Sequence, residues 1–326
     1  MKRISLGHGA GGSLTAGLLD NLFLPELGLP GRAQLGDAAW TGRGMAFTTD
    51  AFVVDPPVFP GGDIGRLALC GTVNDLAVSG ARPLAVSAAF ILEEGVELGL
   101  VRQVVRSMAG ASREAGVPVV GGDIKVVGRR QCHRLYVVTS GIGRGTPGRV
   151  RRRARPKDKV LVSGPVGDHG AAVAWARLGM PAQGAPVSDC APLWEVVAAL
   201  LERCPGTGPM RDPTRGGLAT ALLELAESSS VGVELEEAQI PLGSRTRAAT
   251  SVLGLDPLYL ACEGRLVVFA RPDAVDGVLD VLKSYHPAAA VIGTVTRDSG
   301  QVLLKTAAGG LRRLQLETEG QLPRIC

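Results

Sequence analysis

The apolar positions of the chain come in short blocks broken by Gly, Pro and Asp, and the spacing inside the blocks switches between strand and helix periods. Residues 46–54 read as a strand followed by the turn-prone DPPVFPGGD. IGRLALCGTVNDLAVSG then has helical spacing, with Gly80 as its stop signal. A strand at 83–92, an amphipathic helix at 97–115 ending at Gly116, a strand through VPVVGGDIKVV and another at 134–143 complete a four-stranded half. A second unit opens with DKVLVSG at 158–164 and continues with helices at 168–179 and 192–203. The loop MRDPTRGG leads a helix through Ala226, followed by the strand VGVEL, RLVVFA at 265–270, a helix at 273–285, a strand at 289–295 and the strand QVLLK. Strand and helix blocks recur in similar order in both halves, which predicts two related α/β domains, 1–150 and 151–326, although no sequence period proves a duplication.

Composition narrows the classes. A chain of 326 residues is longer than most single cores, which agrees with two domains. Aromatics make up only 4%, so the core is built from Val, Leu, Ala and Ile, and an aromatic platform for nucleic acid is not expected. Much of the net charge of +4 sits in GRVRRRARPK at 148–157, which reads as a phosphate-gripping run or as a solvated linker; its place between two strand blocks favours the linker. The six cysteines are scattered without zinc spacing, the start lacks the apolar core of a signal peptide, and no apolar stretch approaches the about 20 residues of a membrane span. A cytoplasmic protein without membrane contact is the expectation.

Chemistry gathers at Asp, Gly and the last residue. Asp50, Asp75 and Asp123 each stand among small residues at element ends and offer the hard oxygen ligands that suit magnesium on nucleotide phosphates. Asp63 in GGDIG is a further nucleotide-site residue or simply a helix cap. HGAGG supplies His8 with the amides of Gly9, Gly11 and Gly12 for phosphate, or is a flexible end. RDPTRGG repeats that logic with Arg211, Thr214, Arg215, Gly216 and Gly217 at a helix start, while Asp212 reads as a residue that holds the loop together. Lys125, two residues after Asp123, and Glu263 in LACEG are proton-transfer residues or a structural ion pair; His169 in GDHG is a third, with a satisfied helix-start role preferred. The chain stops on PRIC. Cys326 has a cation at Arg324 nearby and reads as a thiol that travels between sites, the alternative being a frayed end that happens to carry Cys.

HGAGG, FPGGDIG, GTVNDLA, GGDIKVV, VSGPVGDHG, RDPTRGG, DPLYLACEG and the terminal PRIC together resemble the HypE family of hydrogenase-maturation carbamoyl dehydratases, within the larger aminoimidazole ribonucleotide synthetase and selenophosphate synthetase group. DPLYLACEG and PRIC carry the specific part. Ala51, Ile124 and Leu223 depart from the family pattern, where Ser, Thr and Asn are usual, and touch only secondary hydrogen bonds. The resemblance implies an α/β, two-domain synthetase-like fold with mixed sheets and flanking helices. It implies an N-terminal domain that binds ATP and magnesium and dimerises, and a C-terminal domain with a mobile cysteine tail. The carbamoyltransferase HypF would load Cys326, ATP would drive dehydration to a bound thiocyanate, and the HypC–HypD pair would take the cyanide on iron. The rival readings are an ATP-dependent ligase or phosphotransferase for a free small molecule, which does not need Cys326, and a nonenzymatic scaffold that docks through its basic run and tail.

Overall fold

A computed structural model describes residues 3–150 and 153–326; Arg151 and Arg152 of the basic run lie outside the described residues. The chain opens with α1 (Ser13–Leu18), a π turn at Leu19–Phe23 and α2 (Leu24–Glu26). Then come β1 (Ala39–Gly42), β2 (Met45–Phe52), a small hairpin of β3 (Val58–Phe59) and β4 (Gly62–Asp63), α3 (Ile64–Val78), β5 (Ala81–Glu93), α4 (Leu98–Ala115), β6 (Val119–Val127) and β7 (Leu135–Gly145). The second half runs β8 (Lys159–Val162), α5 (Asp168–Arg177), α6 (Trp194–Arg203), β9 (Met210–Arg211), α7 (Gly217–Ser229), β10 (Gly232–Glu236), α8 (Ser244–Leu253), β11 (Val267–Ala270), α9 (Val275–Tyr285), β12 (Ala290–Thr296), β13 (Val302–Lys305) and β14 (Leu311–Leu314).

Both sheets are mixed. The first has the order β1-β2-β7-β5-β6, antiparallel except for the β5–β6 pair, and so holds five strands where the sequence pattern predicts four. The second has the order β14-β13-β10-β12-β8-β11-β9, with β10 and β13 parallel. The short β1 and β14, and the polar helix α8, carry too little apolar periodicity to be legible in the sequence.

The helix α3 lies at the centre. It is buried nearly along its whole length because it packs on the first sheet, on α4 and on α6 of the second half. Its fully buried Leu and Ile side chains each contribute roughly 1.5–3 kcal/mol. Two glycines permit the close packing: a Cβ on Gly65 would stand 2.1 Å from the Val104 carbonyl oxygen, and one on Gly71 would stand 2.8 Å from the Phe52 ring. Asp63 sits at the head of this helix, its Oδ1 accepting from the Gly65 and Arg66 amides at 2.9 and 3.2 Å. Only 3% exposed, Asp63 caps the helix, the structural role the sequence also allows it.

One residue of α3 ties the halves together. Asn74 donates to the carbonyls of Ala191 and Glu263 at 3.0 and 3.1 Å and accepts from the Leu193 amide at 2.8 Å. Its neighbour Asp75 is thereby set at a fixed distance from the CEG segment of the second half.

Candidate active site

Three carboxylates converge where the halves meet. Oxygens of Asp37, Asp75 and Asp212 lie within 4.8 Å of one another. Asp37 comes from the loop before β1, Asp75 from α3 and Asp212 from the RDPTRGG loop, so no short stretch of sequence displays the set. Thr48 on β2 fixes two of its members, donating to Asp75 Oδ2 at 2.8 Å while also bonding the Asp37 carbonyl at 3.1 Å. Arg211 bridges Asp37 at 3.0 Å and Glu224 of α7 at 2.8 Å, and so orients a carboxylate of the cluster.

Asp50 on β2 joins this group through a side-chain hydrogen bond with Asp75 and a weak bond from Thr72 at 3.5 Å. Asp123 does not. It pairs with Lys125 at 2.7 Å on β6, a strand exposed along nearly all its length, and both side chains are more than half exposed. Lys125 and Glu263 do not pair among the described residues: Lys125 is engaged by Asp123 on the exposed strand, and Glu263 is 1% exposed in the interior. Strand alternation does place Asp123 and Lys125 on one face, as their spacing requires.

Like charges held together out of water resist ionisation. Burial, then the neighbouring Asp50 and Asp212, pushes Asp75 well above the usual carboxylate range. Burial and Asp37 push Asp212 up to about 7, and burial raises Asp50. Glu263 is raised well above its ordinary value by burial, then by Asp212 and Asp189. Its main chain is clamped: Asp189 accepts from the Glu263 and Gly264 amides at 3.2 and 3.3 Å, and a Cβ on Gly264 would collide with the Asp189 carbonyl. Buried oxygens of Glu263 and Asp212 have no hydrogen-bond partner among the described residues, and the chemistry of the Asp37, Asp75 and Asp212 donors suits a hard divalent cation.

The glycine loops divide their work. A Cβ on Gly11 would stand 2.9 Å from Arg215 Cβ, so HGAGG lies directly on the RDPTRGG loop. Gly12 is pressed against the Glu317 carbonyl and Gly9 is open, while His8 closes on Ser5 through its Nδ1 at 2.9 Å. Thr214 caps the turn into α7, its carbonyl accepting from the Gly217 amide at 2.9 Å. Gly216 and Gly217 have φ of +76° and +61°, conformations that favour glycine, at the turn into α7.

The structure holds the tail in a docked position. Ile325 is buried with the core of the first half, and Cys326 lies half-buried beside it. The sulfur shares its electrostatic surroundings with Arg215, Glu263, Asp50 and Asp75, and burial, opposed by Arg215, pushes the thiol up to about 12. All six cysteines are free. His169 takes the satisfied role the sequence favours, both ring nitrogens bonded, to Ser188 Oγ and the Ile325 carbonyl, and burial lowers its pKa to about 4. No helix among the described residues is long and apolar enough to cross a membrane.

Residues 35–144 match the N-terminal domain of AIR synthase related proteins and residues 155–305 match the C-terminal domain. The carbamoyl dehydratase HypE of Rhodobacter capsulatus is 46% identical over 100% of this chain and 98% of its own length. A crystal structure of HypE in complex with ATP superposes with a TM-score of 0.83 at 42% identity, covering 99% of this chain and 100% of that one. HypE in a HypE–HypF complex gives a TM-score of 0.86 at 39% identity over 92% and 99% of the two chains. Matched over its whole length at this identity, the chain belongs to the HypE family of carbamoyl dehydratases.

Proposed function

We infer that the chain catalyses ATP-dependent dehydration of a carbamoyl group carried on Cys326, giving a protein-bound thiocyanate that supplies cyanide for the iron of [NiFe]-hydrogenase. The observation that carries this reading is the docked tail: Ile325 is buried in the core of the first half, and Cys326 beside it has Arg215, Glu263, Asp50 and Asp75 in its electrostatic surroundings. A free-substrate ligase gives no reason for a cysteine docked there.

In the reaction the carbamoyl oxygen attacks the γ-phosphorus of ATP, ADP leaves and one N–H proton is released. The second N–H proton and the phosphate then depart together, and the C≡N bond forms on sulfur. Docking on the same chain makes both steps effectively intramolecular. Arg215, the cation in the electrostatic surroundings of Cys326, stabilises charge on the transferring phosphoryl group. Asp37, Asp75 and Asp212, with Asp50 beside them, are the residues that would hold magnesium, which supplies charge neutralisation at the phosphates. Glu263, whose buried Oε1 has no hydrogen-bond partner among the described residues, exchanges a proton with the carbamoyl nitrogen at the docked tail. Glu263→Gln should leave loading intact and slow dehydration by roughly 10²-fold or more. Single-turnover mass spectrometry on the pre-loaded protein measures this, and an unchanged rate would remove Glu263 from the chemistry.

A thiol held near 12 is protonated and a poor nucleophile, so loading belongs to a tail swung out to a carbamoyl donor. HypF is that donor, as the solved HypE–HypF complex supports, and the HypC–HypD pair is the acceptor. A homodimer is assigned to the exposed edge β6, where Val120, Ile124 and Val126 present an apolar face 65–67% exposed. Any contribution of Asp123 and Lys125, on the opposite face, belongs to that assembly. Ile124→Glu with Val126→Glu should convert the protein to monomer in light scattering; an unaltered mass would place the interface elsewhere.

A further inference from the structure

Arg177 at the end of α5 directs its whole guanidinium at main-chain oxygens. Nε donates to the Asp55 carbonyl at 2.7 Å, one terminal nitrogen to Pro323 at 2.9 Å and the other to Arg324 at 2.7 Å. Two turns earlier on the same helix, His169 is fully buried, with Phe59 edge-on at 5.1 Å. Its ring bonds the Ile325 carbonyl at 3.0 Å through Nε2 and Ser188 Oγ at 2.8 Å through Nδ1. A carbonyl only accepts, so Nε2 carries the hydrogen and Ser188 donates to Nδ1. Three successive tail carbonyls, those of residues 323, 324 and 325, are thus each taken by a side chain of α5.

The opposite side of the tail is held by residues 53–55. The Val53 amide donates to the Cys326 main-chain oxygen at 3.0 Å and the Asp55 amide to the Arg324 carbonyl at 3.3 Å. Arg324 itself has φ +55°, a conformation disfavoured for a residue with a side chain. Its guanidinium donates to the Val53 carbonyl at 3.0 Å, approaches Asp55 at 3.7 Å and lies over the Tyr136 ring at 5.8 Å.

We propose that Arg177 and His169 are positioning residues that form a receptor for the tail backbone, and that their bonds to residues 323–325 set the fraction of molecules with Cys326 in the cleft. This rests on the reading of Cys326 as the carrier. Because dehydration proceeds only from the docked tail, its rate scales with that fraction, whereas loading draws on the released tail. The strained backbone at Arg324 opposes docking, so the α5 contacts decide the balance. Reading carbonyls makes this grip indifferent to tail side chains other than Arg324 and Ile325.

The test uses the full-length, unloaded protein. Alkylation of Cys326 by iodoacetamide, followed by peptide mass mapping, is compared between wild type, R177K and R177A, with half-buried Cys132 as the internal reference. R177A should raise the Cys326 rate by roughly tenfold or more and leave Cys132 unchanged, and R177K should fall between, since one ammonium cannot span three carbonyls. On pre-loaded protein, single-turnover dehydration should fall by a similar factor while loading by the carbamoyl donor is undiminished. Unchanged Cys326 alkylation in both folded variants, or acceleration shared equally by Cys132, overturns the proposal. Should R177A not fold, R177K carries the same comparison. Failure of the carrier reading would show separately, as absence of loading on wild type, with the alkylation result untouched.

Discussion

Cys326→Ala is expected to abolish carbamoyl loading and thiocyanate formation completely while leaving the fold and nucleotide binding in place. Complete loss follows because no other sulfur can take over: Cys70, Cys190, Cys204 and Cys262 are buried, and Cys132 lies on the loop before β7. The fold should survive because the substitution removes one half-buried sulfur at the edge of a core that Ile325 still anchors, a change within about 1 kcal/mol. Cys326→Ser keeps the shape with a far weaker nucleophile and should also fail to load. Intact-protein mass spectrometry with the donor system, ATP and magnesium reads each step as a mass change on the tail peptide. Covalent loading and thiocyanate on the Cys326→Ala protein would defeat the mechanism. Turnover of a free substrate by that variant would instead support the ligase reading.

The second large effect concerns the acidic cluster. Asp75→Asn and Asp212→Asn should each raise the magnesium concentration required for nucleotide turnover by at least the roughly 10–100-fold seen when supporting groups of metal ligands are removed. Stability should move the other way. Asp212 has a folded pKa raised to about 7 from an ordinary value of 3.8, so the folded state binds its proton more tightly than the unfolded chain does. Its contribution is therefore most favourable below about 4 and is lost progressively as pH rises from there through about 7. The metal-free wild type should melt at lower temperature at pH 8 than at pH 6. Asp212→Asn should flatten that dependence and melt higher at pH 8, by up to a few kcal/mol of stability. Magnesium with ATP should restore more stability at pH 8 than at pH 6, because binding compensates carboxylates that are then ionised. Calorimetry across that range measures all three; a variant that loses stability at pH 8 would show that Asp212 is structural.

Much of the catalytic inventory was legible because it is local. Strand and helix periods located most of the elements, since a buried face imposes its repeat on the residues that form it. The helix start at Asp63, the RDPTRGG turn and the CEG segment are short-range devices, and the chemistry of a thiol at Cys326 is readable from one residue. By itself, then, the sequence determined the α/β class, the two halves and the glycine-rich loops, and it singled out the thiol proposed as carrier. Tertiary structure decided who meets whom. Asp37 lies in QLGDAAW, a stretch without a motif, and becomes a cluster member only because β2 brings Thr48 beneath it. Asp212, which reads as a loop residue, turns inward to Asp75, whereas Asp123 and Lys125 fall on an edge strand and pair with each other. A tail that reads as mobile is docked because carbonyls at 323–325 meet donors on α5, a contact with no side-chain pattern in the tail to announce it. Periodicity records which way a residue faces its own element; convergence of charges and capture of a backbone depend on distances between elements far apart in the chain, which only the packed fold sets.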